Sequence, residues 1–199
     1  KPVGEVYFTN CDLIYMGVQP YSSTSVGGTY AIVKDRTTGV ASLWQINVGV
    51  MQNYYAVYDK GYRGLTIPAS FDVVNGKVFA VQGYGVLSTP PAYSGGLYYS
   101  KGDNVVHYYN PSNQTEKKNM ISIPADEEIV YIAHSSDPST VTPVDVFSIL
   151  SNKDGNWVLR TYNREGATPD INPKAVHTYT GKGVAKNFIY RNSGTRITY

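Results

Sequence analysis

Residues Ser148–Asn163 read SILSNKDGNWVLRTYN: an alternating arm, the dipeptide Asp154-Gly155, and a second alternating arm. Asp-Gly between two such runs signals a hairpin, because the turn needs positive φ and its twist then matches the flanking strands. Val146, Ser148 and Leu150 share one face of the first arm; Val158, Arg160 and Tyr162 share one face of the second. The same plan recurs in Thr29–Asn47 (TYAIVKDRTTGVASLWQIN), Leu97–Asn110 (LYYSKGDNVVHYYN) and Phe188–Tyr199 (FIYRNSGTRITY). Each is an aromatic-rich strand, a polar turn with Gly, and an aromatic-rich strand.

Working outward from these hairpins, the remaining chain also reads as strands and turns. Glu5–Gly17, Tyr54–Asp59, Asn119–Pro124, Glu128–His134 and Ala175–Tyr179 are strand-like. Ala69–Tyr84 reads as a strand pair closed by Asn75-Gly76, a strong hairpin dipeptide. Ser22–Gly28, Thr89–Gly96 and Ser135–Pro143 read as loops, Lys60–Gly64 and Gly181–Gly183 as turns, and Gly166–Pro173 as a Pro-punctuated link. Asn113–Lys118 is polar and expected at the surface. No amphipathic helix is predicted, since apolar periodicity stays close to 2.

Two landmarks recur along the chain. The turn glycines Gly39, Gly102 and Gly155 are separated by intervals holding about four strand-like runs each, which suits a propeller blade of roughly 40–50 residues plus loops. Gly194 follows at a shorter interval. Thr66-Ile67-Pro68-Ala69 and Ser122-Ile123-Pro124-Ala125 repeat at similar spacing, each ahead of an apolar run. The expectation is an all-β, β-propeller-like domain over 1–199, or a fragment of a larger ring. Its about three complete four-stranded blades fall at approximately 5–65, 66–124 and 125–182, with a partial one at 183–199. A β-sandwich, in which hairpins also recur regularly, is the alternative.

Composition narrows the function classes. Lys and Arg number 17 against 15 Asp and Glu, which gives no electrostatic footprint for nucleic acid or anionic lipid. Tyr, at 19 against 5 Phe, suits strands with one apolar and one wet face. Cys11 is the one cysteine, so no intrachain disulfide forms. No run of 18 apolar residues is present, so no membrane-spanning helix is expected. The opening Lys1-Pro2-Val3-Gly4 reads as a trimmed or processed end, so any export signal or lipid anchor would have been lost with it.

Catalytic motifs are sparse. His107, His134 and His177 lack metal-ligand spacing, and the first and third sit near aromatics in strands, where packing or hydrogen bonding explains them. Gly83-Tyr84-Gly85 and Gly181-Lys182-Gly183 lack the Gly and helix that phosphate binding needs. Asp126, Glu127 and Glu128 form the one acidic cluster and are expected in a solvated loop rather than as a catalytic pair. Arg160, Arg164, Arg191 and Arg196 would serve a carboxylate ligand if they converged. Asp103-Asn104 and Asp154–Asn156 do not make a complete calcium loop. No metal, cofactor or catalytic residue is predicted.

Binding is better supported. A flat apolar ring with a polar tip can stack on a sugar and hydrogen-bond its edge. Turn-adjacent candidates are Tyr21, Tyr62, Tyr84, Tyr93 and Trp157, with the pairs Tyr54-Tyr55, Tyr98-Tyr99 and Tyr108-Tyr109 on strands. Members of each pair must face opposite sides of their sheet.

The tract FDVVNGKVFAVQGYGVLSTPPAYSGGLYYSKGDNVVHYYNPSNQ resembles repeat segments of Bacteroidetes-type surface lipoproteins, in which PKD-like domains precede a β-propeller-like region. The likeness covers Thr66–Tyr199 and lies in Tyr-rich blades and Gly turns; no PKD-like domain is recognisable. Such proteins are similar to partners of outer-membrane glycan-uptake systems, so the resemblance implies an extracytoplasmic, non-catalytic role. Ser151–Trp157 also looks like a shortened Asp-box, the structural turn of sialidase-like propellers. The resulting expectation is a non-catalytic module at the bacterial cell surface that binds a glycan or a partner protein. The rivals are a propeller-type glycoside hydrolase and a structural component of a larger assembly.

Overall fold

The computed structural model describes residues 7–19, 28–46, 62–82, 96–111, 113–137, 144–165, 168–169 and 172–180. These form three antiparallel sheets, each a meander that follows chain order. Sheet 1 contains β1 (Cys11–Gln19), β2 (Gly28–Asp35), β3 (Ala41–Ile46) and β4 (Tyr62–Ile67). Sheet 2 contains β5 (Val78–Gln82), β6 (Gly96–Ser100), β7 (Val105–Asn110) and β8 (Thr115–Ser122). Sheet 3 contains β9 (Glu128–Asp137), β10 (Val144–Lys153) and β11 (Asn156–Glu165). Its fourth position is shared: β12 (Thr168–Pro169) pairs the end of β11, and β13 (Ala175–Thr180) pairs its beginning. Among the described residues there is no α-helix, and no helix is long and apolar enough to cross a membrane.

The hairpin turns form where the sequence places them. Asp154 and Gly155 both have positive φ, 46° and 79°, and join β10 to β11 in unbroken register from Lys153↔Asn156 to Asp145↔Arg164. Gly39 at φ 70° closes β2 onto β3, where the Asp35 carboxylate accepts the Thr37 and Thr38 backbone N–H groups at 2.8 and 2.7 Å. Gly102 at φ 82° does the same between β6 and β7. The hairpin at Phe188–Tyr199, the strand at Tyr54–Asp59 and the partial blade at 183–199 lie outside the described residues.

Other turns differ from expectation. Asn75-Gly76 does not close a hairpin: Asp72–Asn75 is a 3-10 turn and Gly76 has φ −63°. Val73 is buried, Asn75 Nδ2 donates to Asp72 Oδ1 at 2.8 Å, and the Lys77 N–H is taken by the Ser100 carbonyl of β6. The strand after Gly76 therefore pairs forward with β6. The turn expected at Lys60–Gly64 gives way to β4 from Tyr62, and β9 continues to Asp137, into the stretch expected as the loop Ser135–Pro143. Thr115–Lys118 belongs to β8, although its side chains are largely exposed, as its polarity predicts.

The sheets stack face on face, with sheet 2 in the middle. Tyr30, Ile32 and Leu43 of sheet 1 pack on Phe79, Leu97, Tyr99 and Tyr109 of sheet 2. The opposite face of sheet 2, with Ala80, Tyr98 and Val106, packs on Ile129, Ile132, Ile149 and Tyr162 of sheet 3. Alternation thus sends Tyr98 and Tyr99 into different core layers, as a strand requires. The two crossovers share one turn: Phe71 N–H donates to Pro68 O at 3.0 Å, and Glu127 N–H to Pro124 O at 3.1 Å. β5 contacts both β1 and β9, so the first strands of neighbouring sheets lie together. Among the described residues the stack stays open, an arrangement that fits the sandwich alternative.

Candidate binding surface

Trp157 enters β11 directly after the Asp154-Gly155 turn, and strand alternation puts it on the same face as Leu159. β13 runs antiparallel to β11 in a register that sets Tyr179 opposite Trp157. Their rings lie 3.9 Å apart between centroids and 17° from parallel, and both side chains are half-buried. Buried Leu150 and Leu159 support this face of sheet 3, with Val130, Tyr131 and Ala133 packed around them. His177 stands opposite Leu159 in register and is exposed. The packed, hydrogen-bonded role expected of a strand histidine belongs instead to His107, whose Nδ1 accepts the Asn119 N–H at 3.0 Å beside the Tyr99 ring. Burial lowers the His107 pKa, and an accepting Nδ1 requires the neutral ring.

Of the five turn-adjacent candidates, Trp157 is the one with a described side chain. Tyr62 opens β4 opposite Ile46, and its side chain lies outside the described residues. Tyr21, Tyr84, Tyr93 and the pair Tyr54-Tyr55 also lie outside them. Tyr98, Tyr99 and Tyr109 are fully buried between sheets, which removes them as ligand contacts. They are buried because sheet 2 is covered on both faces, so either direction of an alternating pair meets protein. Sequence reasoning missed Tyr179: its strand was legible, but its partner depends on how the 166–173 link returns the chain to β11.

The acidic cluster is not a simple solvated loop. Glu127 is buried, and Arg160 grips its carboxylate in bidentate fashion, Nη1 to Oε2 at 2.6 Å and Nη2 to Oε1 at 2.8 Å. Ser151 Oγ donates to the same Oε2. Burial pushes the Glu127 carboxyl up, but the Arg160 and Ser151 hydrogen bonds outweigh this and hold it below its ordinary value. Neighbouring Asp126 is exposed and pairs with Lys153. The group is a clasp that ties the crossover ahead of β9 to β10 and β11.

A second polar group lies at the edge of sheet 2. Tyr99 Oη donates to Glu116 Oε1, the Asp72 N–H donates to the same oxygen at 3.3 Å, and Lys101 pairs with Asp72. Burial, then the Glu116 carboxylate, push the Tyr99 phenol well up, so it stays a donor. These bonds fasten the 3-10 turn to sheet 2. Among the described residues no group of three or more His, Cys, Asp or Glu side chains is placed to hold a metal ion. The chain matches no family model, no curated protein and no solved structure.

Proposed function

We propose that the chain is a non-catalytic, extracytoplasmic binding module that holds a glycan against the Trp157–Tyr179 stack. In this reading the three sheets serve as successive blades of a propeller-like frame. The observation that carries it is the near-parallel indole–phenol pair, half-buried on β11 and β13 of sheet 3. In this reading the outward face of one stacked ring takes the C–H face of a sugar. The identical Pro68 and Pro124 crossovers and the contacts among first strands support successive blades. The engagement of Glu127 by Arg160 and Ser151 supports a non-catalytic role, because its oxygens already serve the fold. The resemblance to surface lipoproteins supports the extracytoplasmic setting.

A glycan array tests this with the wild type, Trp157→Ala and Trp157→Phe. Binding to one class of glycan is expected for the wild type. Trp157→Ala should weaken it about tenfold, an aromatic contact of this kind contributing about 0.5–1.5 kcal/mol beyond its buried area. Trp157→Phe should fall between, with melting curves confirming that each variant folds. A wild type that binds no glycan, or a Trp157→Ala variant that binds equally well, rejects the reading.

A further inference from the structure

The last strand of sheet 2 carries an irregularity centred on one histidine. β7 and β8 pair at Val106↔Ile121 and again at Tyr108↔Lys117, so His107 alone faces Lys118, Asn119 and Met120. The surplus residues form a bulge, and Asn119 takes a left-handed φ of 55° within it. Bulging changes which face each side chain meets. Strand alternation would send Met120 and Ile121 to opposite sides, yet both are buried in the core shared with sheet 3. Across the gap in the ladder, the Asn119 N–H donates to His107 Nδ1 at 3.0 Å.

That bond exists in one protonation state only. Nδ1 accepts through its lone pair, so the ring must be neutral with its proton on Nε2. A solvent proton on Nδ1 takes the same lone pair and turns the acceptor into a second donor, leaving the Asn119 N–H without its partner. The surroundings do not favour the cation. His107 is 8% exposed, and the Tyr99 ring of β6 lies 5.1 Å from its own. Among the described residues, the charged groups facing it are Lys101 and Asp103 from the β6–β7 turn and Glu116 and Lys118 from β8. The two lysines oppose protonation, the two carboxylates favour it, and burial outweighs each of them.

We propose that His107 is a pH-sensitive catch on β8: neutral, it holds the bulge closed; protonated, it releases Asn119 and lets the edge of sheet 2 open. The parts suit a two-state element. β8 is the outer strand of sheet 2 among the described residues, and Asn119 is exposed, so water can take its N–H once the ring lets go. The left-handed φ favours release, since a non-Gly residue holds that conformation only where its surroundings impose it. Opening costs Met120 its seat against sheet 3, which keeps the catch closed while the ring is neutral. The folded ring titrates below the ordinary histidine value of 6.5. Its hold is therefore complete above that value and is lost as pH falls through the lower, folded value.

NMR of the whole chain between about pH 8 and about pH 4 tests this without any ligand. At the alkaline end the His107 proton is expected on Nε2 and the Asn119 amide should exchange slowly. As His107 titrates, the Asn119 protection factor should fall by up to about tenfold per pH unit, the limit for one proton. The Met120 methyl should shift with it, while amides of the Leu97↔Tyr109 pairing keep their protection through the same titration. His107→Gln, whose side-chain carbonyl accepts at every pH, should abolish the step. A proton on Nδ1 at the alkaline end overturns the proposal, as does a ring that stays neutral throughout. So does Asn119 protection that is unchanged while His107 titrates, or a step that persists in His107→Gln. If that variant does not fold, the wild-type titration decides alone.

Discussion

Gly155 and Gly96 are both indispensable for shape, but for opposite reasons. At Gly155 nothing lies within 4 Å of where a Cβ would stand, yet φ is 79°. Gly155→Val should therefore lose about 1–3 kcal/mol through the backbone alone, with Gly155→Asn losing much less, as urea unfolding would show. At Gly96 the added Cβ would fall 1.9 Å from the Tyr108 ring. Gly96→Ala should destabilise by displacing that ring from Tyr98, its neighbour at 5.1 Å, and most of the added penalty should vanish in a Tyr108→Ala background. The first kind of constraint is legible in sequence, because Asp154-Gly155 states its own dihedral needs. The second is not, since it depends on which ring lies above the glycine. Asn75-Gly76 shows the limit of dipeptide reading. Gly76 adopts φ −63° because Val73 is drawn into the core and Lys77 pairs with β6.

The element most dependent on one interaction is the crossover into sheet 3, held by Glu127, Arg160 and Ser151. Breaking a buried pair from one side leaves the other charge unmatched, so Arg160→Met alone should cost about 3–5 kcal/mol. Arg160→Met with Glu127→Leu should recover a large part of that loss, and a double-mutant cycle in urea would measure the recovery. The pH dependence follows from the same contact. The folded carboxyl titrates below its unfolded value, so its contribution is complete above the ordinary glutamate pKa of about 4.5 and declines as pH falls through the lower, folded value. Melting temperature should fall across that acid window in the wild type, and less steeply in the double variant. Composition alone assigned the acidic run to solvent. It could not show that Glu127 and Arg160, 33 residues apart, meet under sheet 2.

At the scale of the molecule, sheet 2 is the shared layer. Tyr98 and Tyr99 are adjacent in sequence and serve separate cores, so Tyr98→Ala should loosen the contact with sheet 3 and Tyr99→Ala the contact with sheet 1. Each should cost about 3–5 kcal/mol, and each should lower a single cooperative transition in circular dichroism and fluorescence alike. A biphasic melt would mean that the sheets unfold separately. The all-β class and the hairpins were legible because period-2 alternation and turn dipeptides are local. The stacking partner of each face, and with it the pairing of Trp157 with Tyr179, was not, because that information lies in contacts between distant strands.

The three sheets share a strand plan but differ in tolerance of position. Sheet 2 is greasy on both sides, with Tyr98 and Val106 turned one way and Tyr99 and Tyr109 the other. A chain cut between β4 and β5 and stripped of sheet 1 would bare Leu97, Tyr99 and Tyr109 to water at once. The middle module is thus locked into an interior berth.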